Sequence, residues 1–379
     1  MKPIQLVLYK IAQICNLNCT YCYVYNKGDE SWKKRPRLAP LHISESLGDA
    51  INEYCYKHNM NSFSVELHGG EPTLLGPRRF LEHIRALRSQ SAPIRLDIFM
   101  QTNGTLLNEQ WMLALDAAGV TFSLSLDGPP EFADKSRIYR SGKGSTQTVL
   151  DKIVYLRKLD GRFDRLCHGA LCVIPSDADG ARYVDWFAEL NFRGIDFLLP
   201  DGNFQKPPLD ENGIHNLLGF LISAFDRWLE LDKKAPSIRL FEYAIKTKAG
   251  KTNEIDAFGA DISTMCVMES NGALGCHDVL RICGGEFSAD EAFIDREGLI
   301  DYHKSSELSK IQELHADCTN CIHLKSCGGG YLPHRFDGKT FKNPSWYCSV
   351  LFEFFSHVEA QLLQRIPANA WRKIPVRFT

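Results

Sequence analysis

The sequence predicts an α/β protein: a partial, open (β/α)6 barrel of parallel strands followed by a small cysteine-rich module. Three observations predict it. Six short apolar stretches in about the first 200 residues alternate with amphipathic ones. Polar motifs follow several of these stretches at the same end. From Cys266 onward the chain turns to short strands, many glycines and clustered cysteines. Alternation of this kind gives a parallel sheet with helices outside. Six strands are too few to close an eight-stranded barrel.

The elements follow in order. Candidate strands are Ile4–Tyr9, Phe63–Leu67, Arg95–Met100, Thr121–Leu126, His168–Val173 and Gly194–Leu198. Amphipathic stretches near 43–59, 77–90, 108–118, 145–159 and 180–191 predict the helices between them. The functional face is expected at the carboxyl ends of the strands, where the loops gather. Residues 200–215, rich in Pro, Gly and Asn, predict a loop. Helices are then expected over 213–232 and 237–249, and a closing amphipathic helix over 351–365. The expected organisation is a core over 1–212, a helical linker over 213–260, a cysteine-rich module over 261–350, and a C-terminal helix and tail over 351–379.

Composition narrows the class. The chain has 379 residues, 44% of them hydrophobic and 24% charged, as in ordinary globular proteins. A net charge of −2 argues against nucleic-acid binding by bulk electrostatics. No apolar run approaches ~18 residues, so no membrane span is expected. The N-terminal apolar run has no cleavage site and reads as a strand rather than a signal peptide. The outlier is thirteen cysteines, clustered at 15/19/22 and 318/321/327. Such spacings favour metal ligation in a reducing cytoplasm over disulfides.

Cys15, Cys19 and Cys22 form a C-x3-C-x2-C loop directly after the first strand. Three thiolates on one loop can hold three irons of a [4Fe–4S] cube and leave the fourth open to a small molecule. Structural zinc usually takes four ligands in paired spacings, which fits less well. After the second strand comes His68-Gly69-Gly70-Glu71-Pro72, where glycines permit close backbone approach and a carboxylate could meet an amino group. Asp127 suits a turn cap. By spacing alone, Cys318, Cys321 and Cys327 could be a zinc knuckle or an iron–sulfur site.

CNLNCTYC, HGGEPTLL, QTNGTLL and SLSLDGP, taken together, resemble the radical S-adenosylmethionine (SAM) superfamily over about the first 200 residues. The resemblance implies that SAM chelates the open iron and is cleaved by one electron to a 5′-deoxyadenosyl radical. The cofactor carries the hard chemistry, and the protein supplies position and water exclusion. It also implies contacts. Tyr21 meets the adenine, Gly69, Gly70 and Glu71 lie along the methionine moiety, and Thr102 and Asn103 support them. Ser125 and Arg137 match the ribose- and carboxylate-holding pair of sulfatase-maturing enzymes, and Leu198 matches an adenine contact there. An external electron donor, such as flavodoxin or ferredoxin, is implied.

The C-terminal cysteines resemble the SPASM module, in which Cys318, Cys321, Cys327 and Cys348 would hold an auxiliary [4Fe–4S] cluster. Two departures stand out. The full module carries a cysteine where this chain has Tyr331, and another where it has His277. One auxiliary cluster is therefore expected, with Cys266, Cys276 and Cys283 left for a rebuilt site or as buried thiols. Cys55, Cys167 and Cys172 read as core residues. Asp278 matches a proton-accepting aspartate of the sulfatase-maturing relatives.

Tyr23-Val-Tyr25-Asn26, Asp29-Glu-Ser31-Trp32 and Asp278-Val-Leu-Arg281-Ile-Cys283-Gly resemble the peptide maturases that build three-residue cyclophanes (the FxsB, GrrM and XYE-type group). That resemblance implies a precursor peptide in which an aromatic ring carbon is joined to a β-carbon. Anaerobic sulfatase maturation, which makes formylglycine from Cys or Ser, is the alternative; other thioether or epimerisation chemistries follow. A non-catalytic iron–sulfur or zinc protein would need spoiled SAM positions, yet Gly70, Ser125 and Arg137 stand intact. Only fourteen residues precede Cys15, so a peptide leader is expected to bind the core directly, as by strand addition, or through a separate protein.

Overall fold

The computed structural model describes residues 2–287, 292–294, 298–305 and 311–365. These fall into two compact units. The first combines 1–126, 133–169 and 262–309; the second combines 127–132, 170–261 and 310–379. This division cuts across the sequential segments expected from composition, and strand pairing gives the reason.

In the first unit the strands are β1 (Leu6–Ala12), β2 (Ser62–Gly69), β3 (Arg95–Thr102) and β4 (Thr121–Ser125), then β8 (Met265–Met268), β9 (Ala273–Gly275) and β10 (Ala292–Phe293). β1 to β4 pair in parallel in chain order. β8 adds to the other side of β1, also in parallel, with Leu6 opposite Met265. β9 and β10 continue antiparallel. β8, β9 and β10 thus extend the first sheet. The segment Met-Cys-Val-Met is apolar enough to complete the open edge of β1, which covers an otherwise unpaired row of backbone groups.

The strands alternate strictly in burial. One face carries Val7, Tyr9, Val65, Leu67, Ile98, Met100, Phe122 and Leu124, none more than 3% exposed. Helices Leu41–His58 and Pro77–Ser91 pack on this part of the sheet. Each fully buried aliphatic or aromatic there contributes about 1.5–3 kcal/mol. Asn108 caps the next helix, Glu109–Ala117, by accepting from the Trp111 amide at 3.0 Å. The opposite face of the strands is mixed: Lys10, Glu66, His68, Asp97, Gln101, Ser123 and Ser125 occupy alternate positions there, beside Leu6, Leu8 and Phe99. A parallel sheet buried on both faces reads apolar throughout.

β5 (Cys167–Val173) begins in the first unit and continues into the second, where it pairs with β6 (Gly194–Leu198), and β6 with β7 (Ser237–Ile238), all in parallel. The six expected barrel strands all form, and β7 is an addition too short to show in the sequence. The second unit's core is aromatic: Phe197 stands edge-on to Phe220 at 5.1 Å, and Phe225 to Phe241 at 5.4 Å and to Phe354 at 5.8 Å. Asp210 caps helix Glu211–Leu231 through the Gly213 amide at 2.8 Å. The last helix, Cys348–Arg365, starts three residues before the expected one. Residues 366–379, expected as a tail, lie outside the described residues. No helix among the described residues is long and apolar enough to cross a membrane.

Candidate active site and metal centres

Because β1 to β4 run in parallel, their carboxyl ends deliver four motifs to one edge. β1 leads into Cys15, Cys19 and Cys22, all half-buried and none in a disulfide. The Leu17 amide points at the Cys15 sulfur at 3.4 Å, and the Asn103 side-chain amide, from the end of β3, at 3.8 Å. Asn103 also donates to Asn16 at 2.9 Å, and Asn16 to Thr105 at 2.8 Å, which fixes the loop's first ligand from behind. Burial, with Glu71 beside it, pushes the Cys15 thiol up to about 12. Metal ligation therefore has to displace that proton.

The glycines at the end of β2 serve packing. A Cβ on Gly69, whose φ is +127°, would lie 2.0 Å from the Ala12 carbonyl oxygen. One on Gly70 would lie 2.2 Å from the Ile14 carbonyl oxygen and 2.1 Å from the Tyr25 hydroxyl. These glycines let the cysteine loop lie against β2. Glu71 is buried and its carboxylate is used within the chain. It accepts from the Thr73 amide at 2.9 Å, the Thr102 hydroxyl at 2.7 Å and the Asn103 amide at 2.7 Å. Glu71 and Thr102 thus tie the ends of β2 and β3 together.

Arg137 is buried and donates to the Tyr21 hydroxyl at 2.6 Å. Ser125, at the end of β4, accepts from Gln101 at 2.7 Å. Leu198 ends β6 in the second unit, half-buried, its carbonyl accepting from the Ile174 amide at 3.0 Å. Asp127 accepts from the Val173 amide at 3.0 Å.

Asp278 opens a short helical turn after β9 and is 4% exposed. It ion-pairs with Lys10 of β1 and, at 3.3 Å, with Arg281; Tyr23, the residue after Cys22, donates to it. His68 Nδ1 lies 4.0 Å from its Oδ2. Arg281 also pairs with Asp29 at 2.8 Å and with Glu269, and Arg35 with Glu269 at 3.4 Å. Three cations thus meet three carboxylates in one buried network. Burial alone would push the Asp278 carboxyl up, but Lys10 and Arg281 hold it well below the usual carboxylate range. Burial pushes His68 down to about 4, against the pull of Asp278.

Motif reading found Asp278 but missed Lys10, Tyr23, His68 and Arg281 as its partners. A signal was present: Lys10 and His68 are register partners on adjacent strands, on the mixed face. A lysine within Leu-Val-Leu-Tyr-Lys-Ile-Ala, in a strand that must be buried, calls for a buried carboxylate.

In the second unit, Cys318, Cys321, Cys327 and Cys348 line one cavity of about 60 Å³, together with His323, Leu324, Pro344 and Phe352. Four cysteines around one cavity are the donor set that a [4Fe–4S] cluster takes, one per iron. Tyr331 is buried edge-on to His334 at 5.0 Å, and His277 accepts from the Val279 amide at 3.3 Å, so both non-cysteine positions serve packing and capping. Cys266 and Cys283 are buried and Cys276 half-buried in the first unit. Cys55, Cys167 and Cys172 are core residues.

Residues 9–181 match the Radical SAM superfamily model. Over 393 aligned residues the chain is 27% identical to a cysteine-type anaerobic sulfatase-maturating enzyme of Clostridium perfringens, covering 96% of this chain and 98% of that one. It is 25% identical to a serine-type enzyme of Bacteroides thetaiotaomicron, covering 98% and 95%. The fold matches the solved structure of anSMEcpe with bound AdoMet and Cp18Cys peptide at a TM-score of 0.80 and 24% identity, covering 96% and 98%. It also matches Streptococcus suis SuiB bound to precursor peptide SuiA, at 0.62 and 15%, covering 92% and 76%. With the cysteine loop and the strand-end motifs in place, residues 9–181 carry the match to the Radical SAM superfamily, in a chain similar along its length to anaerobic sulfatase-maturating enzymes.

Proposed function

We propose that this enzyme removes two electrons from one side chain of a peptide substrate, and that the reaction is of the sulfatase-maturating type, converting a Cys or Ser side chain to formylglycine. The observation that carries the reading is that Tyr23, the residue following cluster ligand Cys22, hydrogen-bonds to buried Asp278. A charged, shielded acid–base group thus stands next to the position where a radical would arise. End-to-end similarity to both cysteine- and serine-type maturating enzymes supports it, as do two structural relatives solved with peptides.

Cys15, Cys19 and Cys22 would hold the SAM-binding [4Fe–4S] cluster, and Cys318, Cys321, Cys327 and Cys348 an auxiliary one. Bound SAM on the reduced cluster supplies the radical that removes a hydrogen atom. The chain's own residues position the rest. Tyr21 and Arg137, already bonded to each other, and Gly70 and Ser125 would hold SAM. Lys10 and Arg281 keep Asp278 ionised, so on this reading a fixed negative charge would support the step in which the substrate loses a proton.

Cyclophane formation is the second reading. It is favoured by Tyr331 and His277, which replace two cysteines of the full auxiliary module. The test is anaerobic reaction of the reconstituted enzyme with SAM, a reductant, and Cys- or Ser-containing peptides, alongside aromatic-containing ones. An aldehyde trapped by a hydrazine is expected. A product that resists the hydrazine and fragments as an aromatic-to-β-carbon crosslink would replace the maturase reading with the cyclophane one.

A further inference from the structure

We propose that His68 takes the proton released by the peptide side chain, with Asp278 as the carboxylate that then holds the imidazolium. The inference rests on the peptide-oxidation reading above and assigns its proton-transfer step. Oxidation of a –CH2–OH or –CH2–SH side chain breaks one Cβ–H bond and forms a C=O or C=S double bond. One hydrogen atom goes to the SAM-derived radical and one electron to an iron–sulfur cluster. One proton remains, and it goes to His68 Nε2. A thioaldehyde then exchanges its sulfur with water to give the aldehyde and hydrogen sulfide.

The geometry separates the two candidate acceptors. Asp278 is fully committed: Lys10, Arg281 and Tyr23 all contact its carboxylate. Protonating it would remove the carboxylate that Lys10 and Arg281 share, leaving Arg281 its pairs with Asp29 and Glu269 but Lys10 buried beside a neutral group. His68 is uncommitted. Its Nδ1 is buried, has no hydrogen-bond partner among the described residues, and lies 4.0 Å from Asp278 Oδ2. Its side chain is nevertheless 22% exposed, so the open surface belongs to the rest of the ring. One nitrogen thus faces the carboxylate and leaves the other for substrate. Protonation at Nε2 adds a cation next to Asp278 without breaking any existing pair. The groups facing the ring are Lys10 from β1 and Asp278 and Arg281 from the turn after β9. Burial keeps the imidazole neutral near pH 7, the state an acceptor needs, and Asp278 is the weaker base of the two.

The experiment measures oxidised peptide formed per 5′-deoxyadenosine in wild type, His68→Gln and His68→Ala. General-base loss costs about 10²–10⁴-fold, so the ratio in His68→Gln should fall at least about a hundredfold. Added imidazole should restore product in His68→Ala, in step with the basicity of substituted imidazoles. An undiminished ratio in His68→Gln, or a lost ratio that imidazole leaves lost, overturns the proposal. A second arm needs no turnover. Nitrogen NMR of the labelled protein should show His68 neutral at pH 7, and a ring protonated there overturns it. If wild type yields a crosslink instead of an aldehyde, the maturase reading fails while the His68 test stands, because aromatic substitution also releases one proton.

Discussion

Lys10 has no accessible surface, yet it sits in the first strand of the sheet. Its charge is tolerable because Asp278 meets it, and Asp278 is tolerable because Arg281 shares it. Breaking one partner of a buried pair typically costs about 3–5 kcal/mol, whereas replacing both by apolar groups is often neutral. Lys10→Met is therefore expected to lower the urea-unfolding free energy by about that amount, and Lys10→Met/Asp278→Leu to recover most of it. A double variant no more stable than the single one would show that the two side chains are not coupled. Arg137 gives a prediction of a different kind. Its guanidinium donates to Tyr21 from a buried position, and a charged hydrogen bond is worth about 1.5–3 kcal/mol. Arg137→Ala should weaken SAM binding by about 10–100-fold by calorimetry while iron content stays unchanged. Unaltered SAM affinity would remove Arg137 from the SAM site.

At the scale of elements, the end of β2 decides whether the cysteine loop can form. A methyl on Gly70 would overlap the Ile14 carbonyl and the Tyr25 hydroxyl, both in the chain flanking or forming the loop. Gly70→Ala should cost the N-terminal cluster, about four irons per chain, and leave the C-terminal one bound. Retention of all the iron would show that the loop can move aside. Helix Pro77–Ser91 carries a pH sensor in the stability of the first unit. His83 is buried, bonded to Ser44 at 2.7 Å, and pushed down by burial to about 4. Its folded pKa lies below its unfolded value of 6.5. The unfolded chain therefore binds more protons between pH 6.5 and 4, and stability falls as pH falls through that window. Urea midpoints at pH 7 and pH 5 should differ, with His83 contributing about 1–2 kcal/mol. His83→Gln should flatten that slope, and an unchanged slope would place the titration elsewhere.

At the scale of the whole chain, two cysteine sets of three and four predict about eight irons in the reconstituted protein. Cys348→Ser, at the exposed ligand that begins the last helix, should lower that to about four while SAM still binds. About twelve irons in wild type would instead place a third cluster on Cys266, Cys276 and Cys283. Much of this organisation was legible in the sequence. Period-two and helical patterns located all six barrel strands to within about three residues, because a half-buried element must display its period. The cysteine spacings and the Gly-Gly-Glu motif marked the carboxyl ends of β1 and β2.

Other features were not legible. Residues 265–275 read as the start of a separate module, yet they join the first sheet beside β1. Nothing local to an apolar four-residue strand says which edge it will pair with. Glu71 read as a ligand for an amino group, but in the fold its oxygens hold Thr73, Thr102 and Asn103. Sequence alone determined the element order, the cysteine spacings and the resemblance to the radical SAM superfamily, since these depend on spacing along the chain. Tertiary structure alone decided what surrounds Asp278. Lys10, Tyr23 and His68 are brought to it from the other end of the chain, and a charge's basicity is set by its neighbours in space, at a few ångströms and in low dielectric, which no linear pattern records.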